Sequence, residues 1–179
     1  MAPALLTFGH GTASQDEIVG LLRGAGVARL GDVRRYPGSR AHPHVARDAM
    51  AQWLPEAGVG YRSEPRLGGR RRLPPDSPDV WWEVAAFRAY AAHMRTPEFL
   101  SAADDLLAEA ATTPTAVMCS ETVWWRCHRR LIADFVTLAR GGEVLHLGHD
   151  GRLSGHPPAA GARVVDGLLV YDVGSAPRS

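Results

Sequence analysis

Thr115-Ala116-Val117-Met118-Cys119-Ser120-Glu121 is a short apolar run that breaks off into polar residues. From Arg126 to Arg140 the pattern then changes: Leu131, Ile132, Phe135 and Val136 recur at helical spacing. Thr115 to Met118 is too short for a helix and reads as a buried strand, while the segment after it reads as an amphipathic helix. A buried strand followed by a covering helix is the repeating unit of a parallel sheet, so this stretch predicts an α/β fold.

The same alternation extends in both directions. Upstream, Leu5 to Phe8 reads as a strand ending at Gly9-His10-Gly11, and Ser14-Gln15-Asp16-Glu17 is a capping box opening a helix through Ile18, Leu21 and Leu22. Val27 to Val33 reads as a second strand, Arg47 to Ala57 as a helix and Gly60 to Ser63 as a short strand. Leu67 to Asp79 is a Gly-, Arg- and Pro-rich loop. Trp82 to Arg95 reads as a helix with Val84, Phe87, Tyr90, Ala91 and Met94 inward, and Thr96-Pro97 opens another. Downstream, Glu143 to Leu147 reads as a strand, and Asp150-Gly151 and Asp166-Gly167 are hairpin-turn signals. The expectation is one three-layer domain over residues 1–174, a mostly parallel sheet with helices on both faces and an antiparallel C-terminal hairpin. Residues 175–179 are expected to fray as a tail.

Composition narrows the chemistry. The 179 residues carry a formal net charge of +1, which gives no bulk attraction to nucleic acid or membrane. Every basic side chain other than histidine is arginine. The lack of lysine removes P-loop phosphate binding, Schiff-base catalysis and pyridoxal-phosphate attachment, each of which needs an amine. Gly9-His10-Gly11 is not continued as a dinucleotide loop, so no cofactor is expected. No apolar stretch reaches membrane-spanning length. Two cysteines are too few for a disulfide scaffold and no signal peptide is evident, so the expectation is a cytoplasmic chain with reduced thiols.

In parallel sheets ligands bind beyond the carboxyl ends of the strands. Collecting polar residues just after each expected strand gathers His10; Asp32, Arg34, Ser39 and Arg40; Gly68, Gly69 and Arg70; and Cys119, Glu121, Cys127, His128 and Arg129, with His146 further on. Asp32 and Arg34 alternate on a strand, so both side chains leave on one face and an Asp–Arg bridge can orient the arginine. At these residues the chain resembles the domain of unknown function 488 family. The matching blocks are Phe8-Gly9-His10-Gly11-Thr12, Asp32-Val33-Arg34-Arg35-Tyr36-Pro37-Gly38-Ser39-Arg40, Gly58-Val59-Gly60-Tyr61, Leu67-Gly68-Gly69-Arg70, Met118-Cys119-Ser120-Glu121 and Cys127-His128-Arg129. The resemblance spans about His10 to His156 and departs from the family's Ser-Thr at Gly11-Thr12. It implies an α/β fold with a polar site built from these blocks, and no established reaction.

The residues themselves favour an enzyme of hydrolytic or group-transfer type acting on a small anionic, nucleotide-like ligand. Arg34, Arg40 and Arg70 would clamp the anion, since guanidinium binds phosphate and carboxylate in bidentate fashion. Asp32, Ser39, Gly68 and Gly69 complete the binding set. Cys119 would be nucleophile or polar contact, Glu121 and His10 the acid–base pair, and His128 and Arg129 orienting groups. Cys127 falls near an expected helix start, where a thiolate is favoured. A second reading is a nucleic-acid-binding or base-sensing module using Arg70, Arg71 and Arg72 with exposed tryptophans among Trp81, Trp82, Trp124 and Trp125. A third is a zinc or iron site of Cys119, Cys127 and His128. The two thiols are separated by seven residues, and the side chains of Cys127 and His128 would diverge by about 100° on a helix. His93 is expected on a helix surface, and His156 can fold back over the site.

Overall fold

The computed structural model describes residues 3–38 and 40–173. Ser39 and the 175–179 tail therefore lie outside the described residues. The strands are β1 (Leu5–Gly9), β2 (Arg29–Asp32), β3 (Gly60–Ser63), β4 (Thr115–Cys119), β5 (Val144–Leu147), β6 (Leu153–Gly155), β7 (Arg163–Val165) and β8 (Leu168–Val170). The helices are α1 (Gln15–Gly24), α2 (Arg47–Glu56), α3 (Ala85–His93), α4 (Pro97–Ala110) and α5 (Arg129–Asp134).

Six strands form one sheet in the order β3-β2-β4-β1-β5-β6, parallel except for β6, and β7 pairs with β8 in a separate antiparallel hairpin. The alternation of strand side chains sorts the apolar residues into two cores. Phe8, Leu30, Ala116 and Met118 face Ile18 and Leu22 of α1 and Met50 and Leu54 of α2. Leu5, Val117 and Cys119 face Phe87, Phe99, Leu106 and Leu131, on α3, α4 and α5. Helices after β1 and β2 thus cover one face, and those after β3 and β4 cover the other. The connections leaving β2, β4 and β1 part to opposite faces, which opens a crevice at their carboxyl ends.

Local signals act as the sequence predicts at several ends. Ser14 and Glu17 make a reciprocal capping box, and Thr96 caps α4 with Pro97 behind it. Asp166 and Gly167 both adopt positive φ, 52° and 77°, as a two-residue hairpin turn requires.

Two expected helices are shorter than their sequence patterns. The Trp82–Arg95 segment becomes helical only at Ala85, because the Trp82 carbonyl is taken by the Arg88 side chain and its ring packs on Phe87 and Tyr171. Val84 consequently lies outside the helix and exposed, whereas Phe87, Tyr90, Ala91 and Met94 are buried. The Arg126–Arg140 segment is split: Trp124–Arg126 forms a single 3₁₀ turn, Cys127 is extended (φ −129°, ψ 153°), and α5 runs on into a π-helical turn at Phe135–Ala139. His93 is buried rather than on a surface, its Nε2 donating to the Arg66 carbonyl at 2.6 Å. No helix among the described residues is long and apolar enough to cross a membrane.

Candidate functional site

Register brings the site together. Gly9 pairs with Cys119 and Asp32 with Met118, so the chain leaves β1, β2 and β4 at one level. The strand ends stay in step for another residue or two: His10 N–H donates to the Cys119 carbonyl at 3.0 Å, Gly11 N–H to Ser120 at 2.9 Å and Val33 N–H to Met118 at 2.9 Å. Beyond them lies a cavity of about 330 Å³ whose lining includes Arg34, Arg35, Arg70, Cys119, Cys127 and His128.

The two thiols meet in its floor. Because Cys127 is extended and the helix begins only after it, its side chain and that of His128 turn toward each other; they do not diverge as on a continuous helix. His128 Nδ1 stands 3.5 Å from Cys127 Sγ, and its Nε2 lies 2.9 Å from the Val33 carbonyl. A carbonyl only accepts, so Nε2 carries the hydrogen and the Nδ1 position faces the sulfur. The ring is held between Tyr90, with centroids 5.0 Å apart, and the backbone at Gly69, where an added Cβ would stand 3.2 Å from Nδ1.

Cys127 Sγ also accepts the Arg129 backbone N–H at 3.4 Å, and the Cys119 thiol lies near enough to bias its ionisation. Burial alone would raise its pKa. The Cys119 thiol, His128 and the Arg129 charge outweigh burial and hold Cys127 well below the ordinary thiol range. Burial, together with the neighbouring Cys127 sulfur, drives Cys119 the other way, so Cys119 is the proton-bearing thiol of the pair.

Arg129, 1% exposed, supports this arrangement from below. Its Nη1 donates to Thr7 Oγ1 at 3.2 Å, and its Nη2 to the carbonyls of Glu121 at 2.7 Å and Thr122 at 3.3 Å. Its Nε has no partner among the described residues. Thr7 in turn opens a buried chain of bonds: Thr7 Oγ1 to His146 Nδ1 at 2.5 Å, His146 Nε2 to His156 Nδ1 at 2.8 Å, and His156 Nε2 to Asp134 Oδ1 at 2.6 Å. His156 thus folds back from the tail, as its position allowed, but onto this chain and not over the cavity. Burial, with the charges of His156 and Arg129, pushes His146 down to about 3.

On the opposite face of the sheet, Asp32 and Arg34 form the bridge that their spacing predicts. Nε reaches Oδ1 at 2.8 Å and Nη2 reaches Oδ2 at 2.6 Å, both side chains being buried. Tyr61 donates to the same carboxylate at 2.5 Å, and Arg34 Nη2 also donates to the Val45 carbonyl at 2.7 Å. His10 Nδ1 donates to the Gly11 carbonyl at 2.9 Å, which leaves Nε2 to accept from Arg34 Nη1 at 3.3 Å. Burial, with the Arg34 charge, outweighs the Gly11 bond and pushes His10 down to about 4, so His10 is a neutral acceptor committed to Arg34. Gly11 itself has φ +50°, and an added Cβ would stand 2.1 Å from the Thr122 hydroxyl oxygen, so the β4 loop fills the space of a side chain there.

The rim is more exposed. Gly68 touches the Arg35 backbone so closely that a Cβ would stand 2.5 Å from its nitrogen. This approach places Arg70, at φ 59°, beside Tyr36, which carries the Arg35 and Arg70 guanidiniums at 5.3 Å and 5.9 Å from its ring centre. Glu121 lines the cavity mouth with an exposed side chain. Arg40 is exposed and is not part of the lining. Arg35, Tyr36, Tyr90 and Arg126 line the cavity although strand-end reasoning did not select them. The signal was present for Arg35 and Tyr36, which sit within the Asp32–Arg40 block.

The basic and aromatic residues of the second reading are dispersed. Arg71 folds back onto the carbonyls of Gly68 at 3.0 Å and Pro65 at 2.7 Å. Trp82 is buried, Trp124 is stacked on His146 with centroids 4.4 Å apart, and Trp125 is exposed. Among the described residues no group of three or more His, Cys, Asp or Glu side chains is placed to hold a metal ion.

The family model for the domain of unknown function DUF488 matches residues 14–136. Comparison with curated proteins and with solved structures finds no match.

Proposed function

The chain belongs to the DUF488 family, whose description names no reaction, and from its geometry we propose that it is a thiol-dependent enzyme of group-transfer or hydrolytic type acting on a small anionic substrate. The observation that carries this reading is the sulfur of Cys127, which faces the pinned imidazole of His128 and accepts the Arg129 backbone N–H. A thiolate so held is a nucleophile at neutral pH. Cys127 attacks the electrophilic centre, and His128 holds the proton that the leaving group takes up. Cys119 acts as the polar contact that keeps the thiolate in place. Arg35, Arg70 and Arg126 at the rim, with Arg34 behind them, hold the substrate's negative charge, and Glu121 sets its orientation at the mouth. His10 serves through Arg34 and not as the base. The cytoplasm is the compartment that suits this chemistry, since both thiols stay reduced there.

The test is the pH profile of alkylation by iodoacetamide, with the modified residue located by mass spectrometry. Cys127 should react first, with an inflection well below the ordinary thiol value of about 8.5. His128→Gln should move that inflection upward, and inorganic phosphate should slow the reaction in the wild type. Preferential labelling of Cys119, or an ordinary inflection that His128→Gln leaves in place, would refute the assignment.

A further inference from the structure

We propose that Cys127 and Cys119 together form a peroxide-reactive dithiol, which reduces a hydroperoxide and ends as a Cys119–Cys127 disulfide. The inference rests on the same thiolate as the reading above, but it asks more of Cys119 than a polar contact: a protonated thiol that can itself bond to the nucleophile. Both cysteines are buried in the floor of one cavity, one on the last residue of β4 and one on the extended residue before α5. Both line the same cavity wall, and each sulfur is among the causes that shift the other's ionisation. Among the described residues the Cys119 thiol donates one long bond, to the Glu121 carbonyl at 3.9 Å, which leaves it free to turn.

The first step forms a bond between the Cys127 sulfur and the terminal peroxide oxygen while the O–O bond breaks. The departing alkoxide takes the proton held on His128 and leaves as the alcohol, with Cys127 oxidised to the sulfenic acid. Loss of the Cys127 negative charge removes one of the influences that keep Cys119 protonated. In the second step Cys119 sulfur attacks Cys127 sulfur, the S–S bond forms, and the S–O bond breaks. Hydroxide leaves with the Cys119 proton as water. Two thiols and one hydroperoxide become one disulfide, one alcohol and one water, and an external dithiol returns the centre to its starting state. A nucleophilic cysteine without a resolving partner stays exposed to further oxidation, to sulfinic acid, and the adjacent thiol forestalls that.

The experiment treats the full chain with one equivalent of hydrogen peroxide and follows intact mass and free thiols. The expected result is loss of two hydrogens, disappearance of both titratable thiols, and reversal by dithiothreitol. Cys119→Ser, or Cys119→Ala where the serine disturbs packing, should stop at a product one oxygen heavier that dimedone traps on Cys127. Addition of two oxygens to the wild type with Cys119 still free would overturn the proposal, and so would a disulfide between two chains. Rapid alkylation of Cys127 at low pH without a peroxide-induced disulfide would sink the dithiol and leave the group-transfer reading standing. Failure of Cys127 to ionise would sink both.

Discussion

Replacing Asp32 by Asn is the most direct probe of how the cavity's back wall is held. The carboxylate accepts from Arg34 Nε at 2.8 Å, Arg34 Nη2 at 2.6 Å, the Arg34 backbone N–H at 3.2 Å and Tyr61 at 2.5 Å, and Asp32 itself is 0% exposed. Asparagine keeps the shape and one oxygen, so the bonds at Oδ1 survive. The amide nitrogen at the other position turns a donor toward Arg34 Nη2, and the guanidinium is left buried with neutral acceptors alone: the surviving amide oxygen, the Val45 carbonyl and His10. Losing a charge-assisted bond costs roughly 1.5–3 kcal/mol. Leaving the partner charge buried and uncompensated brings the total to about 3–5 kcal/mol. That is a large share of the roughly 5–15 kcal/mol typical of a folded domain. For a chain of this size it corresponds to a fall in Tm of roughly 10 °C. Urea unfolding followed by tryptophan fluorescence measures it. In the double variant Asp32→Asn/Arg34→Met much of the loss should return, because no buried charge remains. A loss below about 1 kcal/mol for Asp32→Asn would refute the reasoning. It would mean that Arg34 is solvated through the cavity and does not depend on its carboxylate.

Stability should also fall on mild acidification. Burial holds His10 down to about 4 and His146 to about 3, and lowers His93 as well, whereas the unfolded chain protonates its histidines near pH 6.5. Their contribution is therefore complete above about pH 6.5 and is lost as the pH falls from there toward the folded values, because only the unfolded state gains protons in that window. Allowing for solvent screening, urea unfolding at pH 7 and pH 5 should differ by about 2 kcal/mol, and a flat profile would contradict the placement of these rings. A double-mutant cycle of Cys127→Ser and Arg129→Met should give a coupling energy of about 1–3 kcal/mol, whereas additive losses would show that the thiolate and guanidinium do not compensate each other.

The parts of this molecule that its sequence disclosed are those governed by short, rigid periods. Asp32 and Arg34 are two residues apart around the end of a strand, and a period of two leaves little freedom, so their bridge could be read before any coordinates. The Ser14–Glu17 capping box is as local. What was hidden depends on where a helix begins. The amphipathic pattern from Arg126 to Arg140 says nothing about the extended residue at Cys127, because Cys127 is as acceptable in that stripe as the residues after it. Yet that one backbone choice decides whether Cys127 and His128 diverge or face each other. His93 was illegible for a different reason: the carbonyl that accepts its proton belongs to Arg66, in a loop that no local pattern ties to α3. The rim residues Arg35 and Arg126 lie in a loop and in a single 3₁₀ turn, where side-chain direction follows from tertiary approach, such as that of Gly68 to Arg35, and not from spacing.

Arg129 carries the argument that ionisation of Cys127 belongs to the fold itself. Its guanidinium cannot deprotonate, it is fully buried, and its side-chain partners are a hydroxyl and two carbonyls. A permanent charge among neutral dipoles is costly unless an opposite charge stands close by, and among the described residues no carboxylate pairs with it. The guanidinium favours ionisation of both thiols, and of the two it is the Cys127 sulfur that also receives the backbone N–H of Arg129 itself. Cation and thiolate thus stabilise one another within the folded protein before any substrate arrives. Arg70 and Arg126 at the rim are exposed and under no such constraint, since water solvates them. On the proposed reading they meet the substrate's negative charge, while Arg129 stays beside Cys127. On the proposed reading the segment from Cys119 to Arg129 supplies the nucleophile and one arginine of the mouth, Arg126, while Arg35 and Arg70 come from the loops after β2 and β3.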